Sequence, residues 1–335
     1  MRLHIQNPPD TIPASAPSFA ITQQQWDEAL ARSPDMAGLV MTMAHDDPGF
    51  IAGVGDADVL LTWTKEVRQR LLKGALPGVA PRLRIISCTS AGLDRLMPFD
   101  WLPGNVALLN NSGAHGAKAG EFGIMALLML ANHMPVFAAD QHMRRWAPRF
   151  GSVLAGRTVG IVGLGAIGSA VAMRAQQFGM TVLGVRNNVA PHAHAHEVHP
   201  VSALEAVLPR CEFLVLACPL TDRTRNLLSR DRLDLLPHGA KLVNMARGPV
   251  WDQDALCEML DAGRLGPCLT DVATPEPLPE HHRMWRTPGL TITPHMSSDD
   301  PETYNERTLD ILFANLRVDR AGQPMPNRVE PARGY

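Results

Sequence analysis

Three polar residues stand out by type and setting: Arg247 in L-V-N-M-A-R-G-P-V-W-D, Glu276 in T-D-V-A-T-P-E-P-L-P and His295 in T-I-T-P-H-M-S-S. Each follows a short apolar run that reads as a buried strand, and the carboxyl ends of parallel strands are where an open α/β sheet builds its ligand crevice. A guanidinium fixed there can hold a carboxylate in bidentate fashion. Imidazole is the usual proton carrier at neutral pH, and a carboxylate beside it orients the ring and favours its protonated form. Singly, each residue is as ordinary as a structural ion pair or a surface group. Jointly they suit chemistry on a small acid in which a proton moves to or from oxygen.

A second constellation lies upstream. The run R-T-V-G-I-V-G-L-G-A-I-G carries G-x-G-x-x-G at Gly163, Gly165 and Gly168, with an apolar strand before it and a helical pattern, Ser169 to Phe178, after it. That context is the one a dinucleotide-binding turn requires. Gly163 permits the tight turn, Gly165 lets backbone N–H groups approach a pyrophosphate together with Ala166 and Ile167, and Gly168 lets helix and strand pack closely. For NAD, an acidic residue should end the next strand to bond the ribose hydroxyls. Here M-T-V-L-G-V ends in Arg186-Asn187-Asn188. A guanidinium at that place offers a fork to a 2'-phosphate, so NADP(H) is the predicted cofactor, with NAD(H) second to it, and Arg186 and Asn187 join the cofactor-binding set.

The elements that must position these residues follow an alternation of short β-rich runs with helical ones, the pattern of an α/β fold with parallel sheets. Candidate strands of a first series are Leu3 to Gln6, Leu39 to Met43, Val59 to Trp63, Leu83 to Cys88 and Val106 to Leu109, with helices near Gln23 to Ala31 and Lys65 to Leu72. A long apolar segment from Gly116 to about Pro135 reads as a buried connecting helix. A second series comprises Thr158 to Val162, Thr181 to Val185, Phe213 to Ala217, Lys241 to Asn244, Leu269 to Val272 and Leu290 to Thr293, enough for a complete doubly wound domain. A last helix, Pro301 to Val318, leads to a Pro-rich tail. The reading is thus two doubly wound parallel-sheet domains: a discontinuous, flavodoxin-like substrate domain of residues 1–111 and 299–335, and a Rossmann-type NAD(P)-binding domain of residues 112–298.

Composition narrows the function classes. With 335 residues the chain has room for two domains. A formal net charge of -2, from 31 Lys+Arg against 33 Asp+Glu, lacks the basic footprint that nucleic-acid binding needs. The five cysteines contain no C-x-x-C pair and suggest neither a disulfide framework nor a zinc site, which fits a reducing cytoplasm. The longest wholly apolar stretch, Ile124 to Ala131, falls far short of the ~20 residues of a membrane span, and the start of the chain has no signal-peptide apolar region.

These residues resemble the D-isomer-specific 2-hydroxyacid dehydrogenases over nearly the whole chain. The segments that carry the resemblance are T-S-A-G-L-D (Thr89 to Asp94), Glu121, G-L-G-A-I-G, C-P-L-T-D-R-T-R-N-L-L (Cys218 to Leu228), N-M-A-R-G, D-V-A-T-P-E-P-L-P, I-T-P-H and the final A-R-G-Y. Arg186 and the R-G-Y ending draw it towards the NADPH-linked glyoxylate/hydroxypyruvate reductase-like branch. The resemblance implies His295 as acid/base, Glu276 as its partner and Arg247 as anchor of substrate carboxylate and carbonyl. It also implies backbone N–H groups of Ser90, Ala91 and Gly92 on the other side of that carboxylate, Asp271 at the nicotinamide carboxamide, and Cys218, Pro219, Thr224 and Ala246 lining the cofactor. The reaction implied is hydride transfer between the cofactor and a small 2-keto or 2-hydroxy acid, in a homodimer joined through the cofactor domain. Met296-Ser297-Ser298 replaces the family's usual Gly or Ala after I-T-P-H, and N-N-S-G-A-H-G stands where the substrate loop varies most.

Several features call for other readings. The tract P-H-A-H-A-H-E-V-H-P, with His192, His194, His196, Glu197 and His199, has ligand types for a transition metal, but it reads as a surface loop without zincin spacing, and no metal is assigned. His115 reads as a partly exposed loop histidine. Trp146, Trp251 and Trp285 read as packing or domain-interface residues, and Glu121, within the apolar helix, as a structural hydrogen-bond partner near the hinge. Two rival functions are a nucleotide-sensing corepressor-like module without significant turnover, and a phosphite- or formate-type dehydrogenase. Formate enzymes of this fold carry an amide where Glu276 stands, which counts against them.

Overall fold

The computed structural model describes residues 1–9, 19–72 and 76–334, and the chain divides into two compact units, Met1–His115 with Asp300–Tyr335 and Gly116–Asp299. Tyr335, the last residue of the A-R-G-Y motif, lies outside the described residues.

The first unit holds β1 (Arg2–Gln6), β2 (Val40–Ala44), β3 (Val59–Thr62), β4 (Ile85–Cys88) and β5 (Ala107–Leu109) in the all-parallel order β2-β1-β3-β4-β5. That order is the flavodoxin-like one. The C-terminal helix Tyr304–Arg320 belongs to this unit because its apolar stripe, Leu309, Leu312, Phe313 and Leu316, completes the core over Leu3, Ile5 and Ile85. Trp26 meets the Phe313 ring edge-on at 5.4 Å. The same helix fixes the loop after β4: the Tyr304 hydroxyl donates to the Thr89 carbonyl, which also accepts Asn111 Nδ2 at 2.8 Å. Arg307 donates to the Ala114 carbonyl. These bonds are why the division falls at His115 and Asp300, a few residues from the 111 and 299 read from sequence.

The second unit holds β6 (Thr158–Val162), β7 (Thr181–Val185), β8 (Glu197–His199), β9 (Phe213–Leu216), β10 (Lys241–Asn244), β11 (Cys268–Thr270) and β12 (Leu290–Ile292), again all parallel. Their order, β12-β11-β10-β9-β6-β7-β8, is the doubly wound arrangement extended by one strand. It reverses direction between β6 and β9, the switch point where such sheets bind ligands. The inner strands are buried on both faces, as a parallel sheet covered by helices requires.

Five sequence expectations are corrected. The seventh strand, β8, lies inside the histidine tract that reads as a loop; its three half-exposed residues pair with β7 and carry too little apolar signal to be found by periodicity. The apolar helix ends at Ala131 rather than running to Pro135, because His133 adopts φ 55° and Pro135, unable to sit inside a helix, occupies the first turn of a new one, Met134–His142. Glu121 is 67% exposed, facing Arg174 at 3.7 Å, so it bears no burial cost. His115 is buried against the Tyr304 ring, and Trp146 is 98% exposed while Trp251 is in the core. Among the described residues no single helix is long and apolar enough to cross a membrane.

Candidate active site and dinucleotide-binding turn

In the Gly116–Asp299 unit, Gly163 follows β6 with φ 96°, and a Cβ there would lie 2.7 Å from the Ala217 oxygen and the Cys218 nitrogen. Only glycine fits both the angle and the approach. A Cβ on Gly168 would overlap the Gly163 carbonyl oxygen, so that position too is dictated by packing. Gly165 differs: among the described residues, no atom beyond its chain neighbours and the backbone of its own helix lies within 4 Å of where its Cβ would be. It is the N-cap of the helix Ala166–Gln177 and has no side-chain cap. An uncapped helix start with open space in front of it is an anion-binding feature, and it suits a pyrophosphate. Thr224 shapes the facing loop by donating to the Pro219 carbonyl at 2.6 Å and accepting from Thr221 N–H at 2.8 Å. Burial pushes the Cys218 thiol up to about 12, so it lines this region as a neutral, apolar group. Arg186 follows β7, where its guanidinium donates to the Ala190 carbonyl at 2.8 Å while its buried Nε has no partner among the described residues. The donors and the vacant approach fit a dinucleotide.

The other constellation forms at the carboxyl ends of β10, β11 and β12. Arg247 caps the turn after β10 and is half-buried, its Nη1 donating to the Ala246 carbonyl at 2.8 Å. Gly248 brings this turn against Ala273 and Thr274, at a separation that a Cβ would violate. Gln253 ties the next loop from both sides, donating to the Thr274 carbonyl at 2.9 Å and accepting from Thr274 N–H at 3.0 Å. Glu276 emerges from that loop. Its Oε1 accepts from Ala273 N–H at 3.0 Å, and its Oε2 meets His295 Nδ1 at 2.9 Å. Burial acts to raise the Glu276 carboxyl, but the bonds from His295 and Ala273 and the charge of Arg247 outweigh it and hold the group below its ordinary value. It is a carboxylate throughout the neutral range.

Asp271 has a role the sequence did not disclose. It is 2% exposed, and its Oδ1 accepts from the Thr293 hydroxyl at 2.6 Å and Met296 N–H at 2.9 Å, while Oδ2 accepts from Ser297 N–H at 3.0 Å. These bonds fasten the segment on either side of His295, which sits at φ 54°. A left-handed non-glycine residue costs of order 1–3 kcal/mol, which a single hydrogen bond to a charged group, about 1.5–3 kcal/mol, matches. The structure therefore brings Arg247, Glu276 and His295 together, with Asp271 anchoring the His295 segment. Ser90, Ala91 and Gly92 follow β4 in the other unit.

A dinucleotide turn at the switch point, with a carboxylate–imidazole pair and an arginine at the strand ends, defines a nicotinamide-dependent oxidoreductase. The profile described as D-isomer specific 2-hydroxyacid dehydrogenase, NAD binding domain, matches residues 124–297. The chain is 32% identical over 261 residues to a glyoxylate reductase of Korarchaeum cryptofilum, covering 75% of this chain and 77% of that one. It is 29% identical over 288 residues to the human glyoxylate reductase/hydroxypyruvate reductase, covering 83% and 85%. A solved D-isomer specific 2-hydroxyacid dehydrogenase from Xanthobacter autotrophicus, in complex with NADPH and MES, superposes with a TM-score of 0.79 at 28% identity over 100% of this chain and 99% of that one. The chain belongs to the D-isomer specific 2-hydroxyacid dehydrogenase family, whose enzymes act on small keto and hydroxy acids.

The lowered Glu276 carboxyl fixes the sign of a pH effect. Its negative charge is present above its depressed value and lost as pH falls through it, so the acceptor that holds His295 Nδ1 is a carboxylate across the neutral range. Replacing Glu276→Gln removes that charge, so the acid limb of the kcat/KM profile for 2-hydroxyacid dehydrogenase activity that follows Glu276 should disappear, with kcat/KM reduced across the neutral range. An acid limb and a neutral-range kcat/KM both unchanged would separate Glu276 from the chemistry.

Proposed function

We propose that the protein reduces a small 2-keto acid, of the size of glyoxylate or hydroxypyruvate, to the D-2-hydroxy acid, using NADPH in preference to NADH. The observation that carries this reading is the Glu276–His295 pair at 2.9 Å with Arg247 close enough for its charge to act on Glu276. The nicotinamide, when bound, supplies the hydride. Glu276 accepts from Nδ1–H of His295, which leaves Nε2 as the atom that delivers a proton to the substrate oxygen as it becomes an alkoxide and takes it back in the reverse direction. Arg247 holds the substrate carboxylate. The turn of Gly163, Gly165, Ala166, Ile167 and Gly168 takes the pyrophosphate, Cys218, Pro219, Thr224 and Ala246 line the cofactor, and Arg186 with Asn187 meets the 2'-phosphate. Asp271, whose bonds anchor the His295 segment, orients the nicotinamide carboxamide.

Two copies are proposed to pair through the Gly116–Asp299 unit. Ile124, Met125, Leu128, Met129 and Met134 line an apolar groove, and the segment that follows in sequence leaves Met143, Trp146, Phe150 and Val153 exposed, Phe150 to 93%. Large apolar side chains left in water mark an interface. All five cysteines are free and buried, which suits a reducing cytoplasm.

His295→Gln should lower kcat at least a hundredfold while leaving NADPH affinity, read by fluorescence titration, within a factor of a few; unchanged turnover would remove His295 from the mechanism. Arg186→Ala should cut the NADPH-over-NADH ratio of kcat/KM by roughly 10- to 150-fold, the worth of a charge-assisted bond of about 1.5–3 kcal/mol, and an unchanged ratio would refute its role. Sedimentation should give the mass of two 36.4 kDa chains, falling to one in a Trp146→Glu, Phe150→Glu variant; a wild-type monomer would exclude pairing through this face.

A further inference from the structure

The histidine tract is built into the nucleotide-binding turn. His192 Nε2 lies 2.9 Å from the hydroxyl of Ser169, the residue directly after Gly168, and Ser169 in turn donates to the Leu164 carbonyl at 3.1 Å. His192 Nδ1 accepts from His194 N–H at 3.2 Å. With Nδ1 accepting, the neutral ring carries its proton on Nε2 and donates it to Ser169. His192 thus bridges the first turn of the helix Ala166–Gln177 to the loop after Arg186, and it lies within reach of the Arg186 charge. Among the described residues, the groups facing it are Arg186 from the end of β7 and His194 from its own loop, while the helix offers the Ser169 hydroxyl and, against His194, the Gln176 amide. No carboxylate stands among them.

We propose that His192 is a second reader of the cofactor's 2'-phosphate beside Arg186, and that it takes up a proton when NADP(H) binds, so that preference for NADP(H) over NAD(H) strengthens as pH falls from alkaline to neutral. The inference rests on the NADP(H) reading above. In the free protein, burial and then the charges of Arg186 and His194 hold His192 below the ordinary imidazole range, so the ring is neutral and satisfied within the loop. A phosphate dianion placed at Arg186 reverses that balance. Protonation at Nδ1 makes it a donor, breaks its bond with His194 N–H and turns the new N–H to a phosphate oxygen, with the proton drawn from solvent. Linkage fixes the direction: the added affinity is fully present below the free-state value of His192 and is lost as pH rises through its phosphate-bound value.

Titration calorimetry of NADP+ and of NAD+ at pH 7.5, in buffers of different ionisation enthalpy, counts protons exchanged on binding. The 2'-phosphate has its second ionisation near 6 and is already a dianion at pH 7.5, and pairing it with cations alone would release protons rather than take them up. Net uptake with NADP+, none with NAD+, and its disappearance in His192→Gln are the expected results. The NADPH-over-NADH ratio of kcat/KM should fall about fivefold or more from pH 6.8 to 8.5 in the wild type and stay flat in His192→Gln. Uptake that persists in His192→Gln, or equal weakening of both cofactors, would reduce His192 to a brace of the loop and overturn the proposal. Tighter binding of NADP+ without proton uptake would overturn this inference alone, whereas no preference for NADP+ at any pH would overturn the NADP(H) reading and this inference with it.

Discussion

The buried carboxylate of Asp271 is the constraint on which the reactive end of the molecule depends. It stands at the end of β11 with no cation paired to it among its hydrogen bonds and is satisfied by Thr293, Met296 and Ser297. A buried carboxyl group in that setting demands its donors, and the segment after β12 must bend to supply them. The bend places His295 in the left-handed region and presents Nδ1 to Glu276. The geometry of the proposed proton carrier is thereby fixed by Asp271, whose oxygens accept three hydrogen bonds from that segment.

The same unit separates its two tasks along one sheet edge. Between β6 and β9, the strand-order reversal opens a place for a dinucleotide, and the glycines there fall into two kinds: Gly163 and Gly168 are required by neighbouring backbone, Gly165 by nothing in the protein. Strands β10, β11 and β12 carry Arg247, Glu276 and His295 at the other end, with Gly248 and Gln253 pressing the intervening turns together. Position and fixed charge are what a protein adds when the hydride belongs to a cofactor.

The sequence disclosed this plan unevenly, for identifiable reasons. Both parallel sheets were legible, and β6, β7 and β10 have the bounds read from sequence, because strands buried on both faces are continuous apolar runs closed by turns. Strand β8 was hidden, since Glu197-Val198-His199 is half-exposed and held by pairing rather than by apolar burial. The exposure of Glu121 and Trp146 follows from which neighbours arrive in space, which periodicity does not encode, and the helix break at His133 comes from a left-handed residue before Pro135 inside an unbroken helical pattern. Arg247, Glu276 and His295 were singled out by residue type and setting, and their convergence at the ends of β10, β11 and β12 is what the structure adds. The bonding of Asp271 was not, because its donors lie 22 to 26 positions further on and only the β11–β12 pairing brings them back.

The most direct test of the account is an initial-rate survey of NADPH and NADH oxidation against glyoxylate, hydroxypyruvate, pyruvate, phenylpyruvate and 2-ketoisocaproate at neutral pH, with chiral analysis of any product that has a stereocentre. The account predicts rapid turnover of glyoxylate or hydroxypyruvate with NADPH ahead of NADH, with the D isomer formed wherever the product is chiral. Silence with every acid in a protein that binds NADPH, or formation of the L isomer, would contradict it.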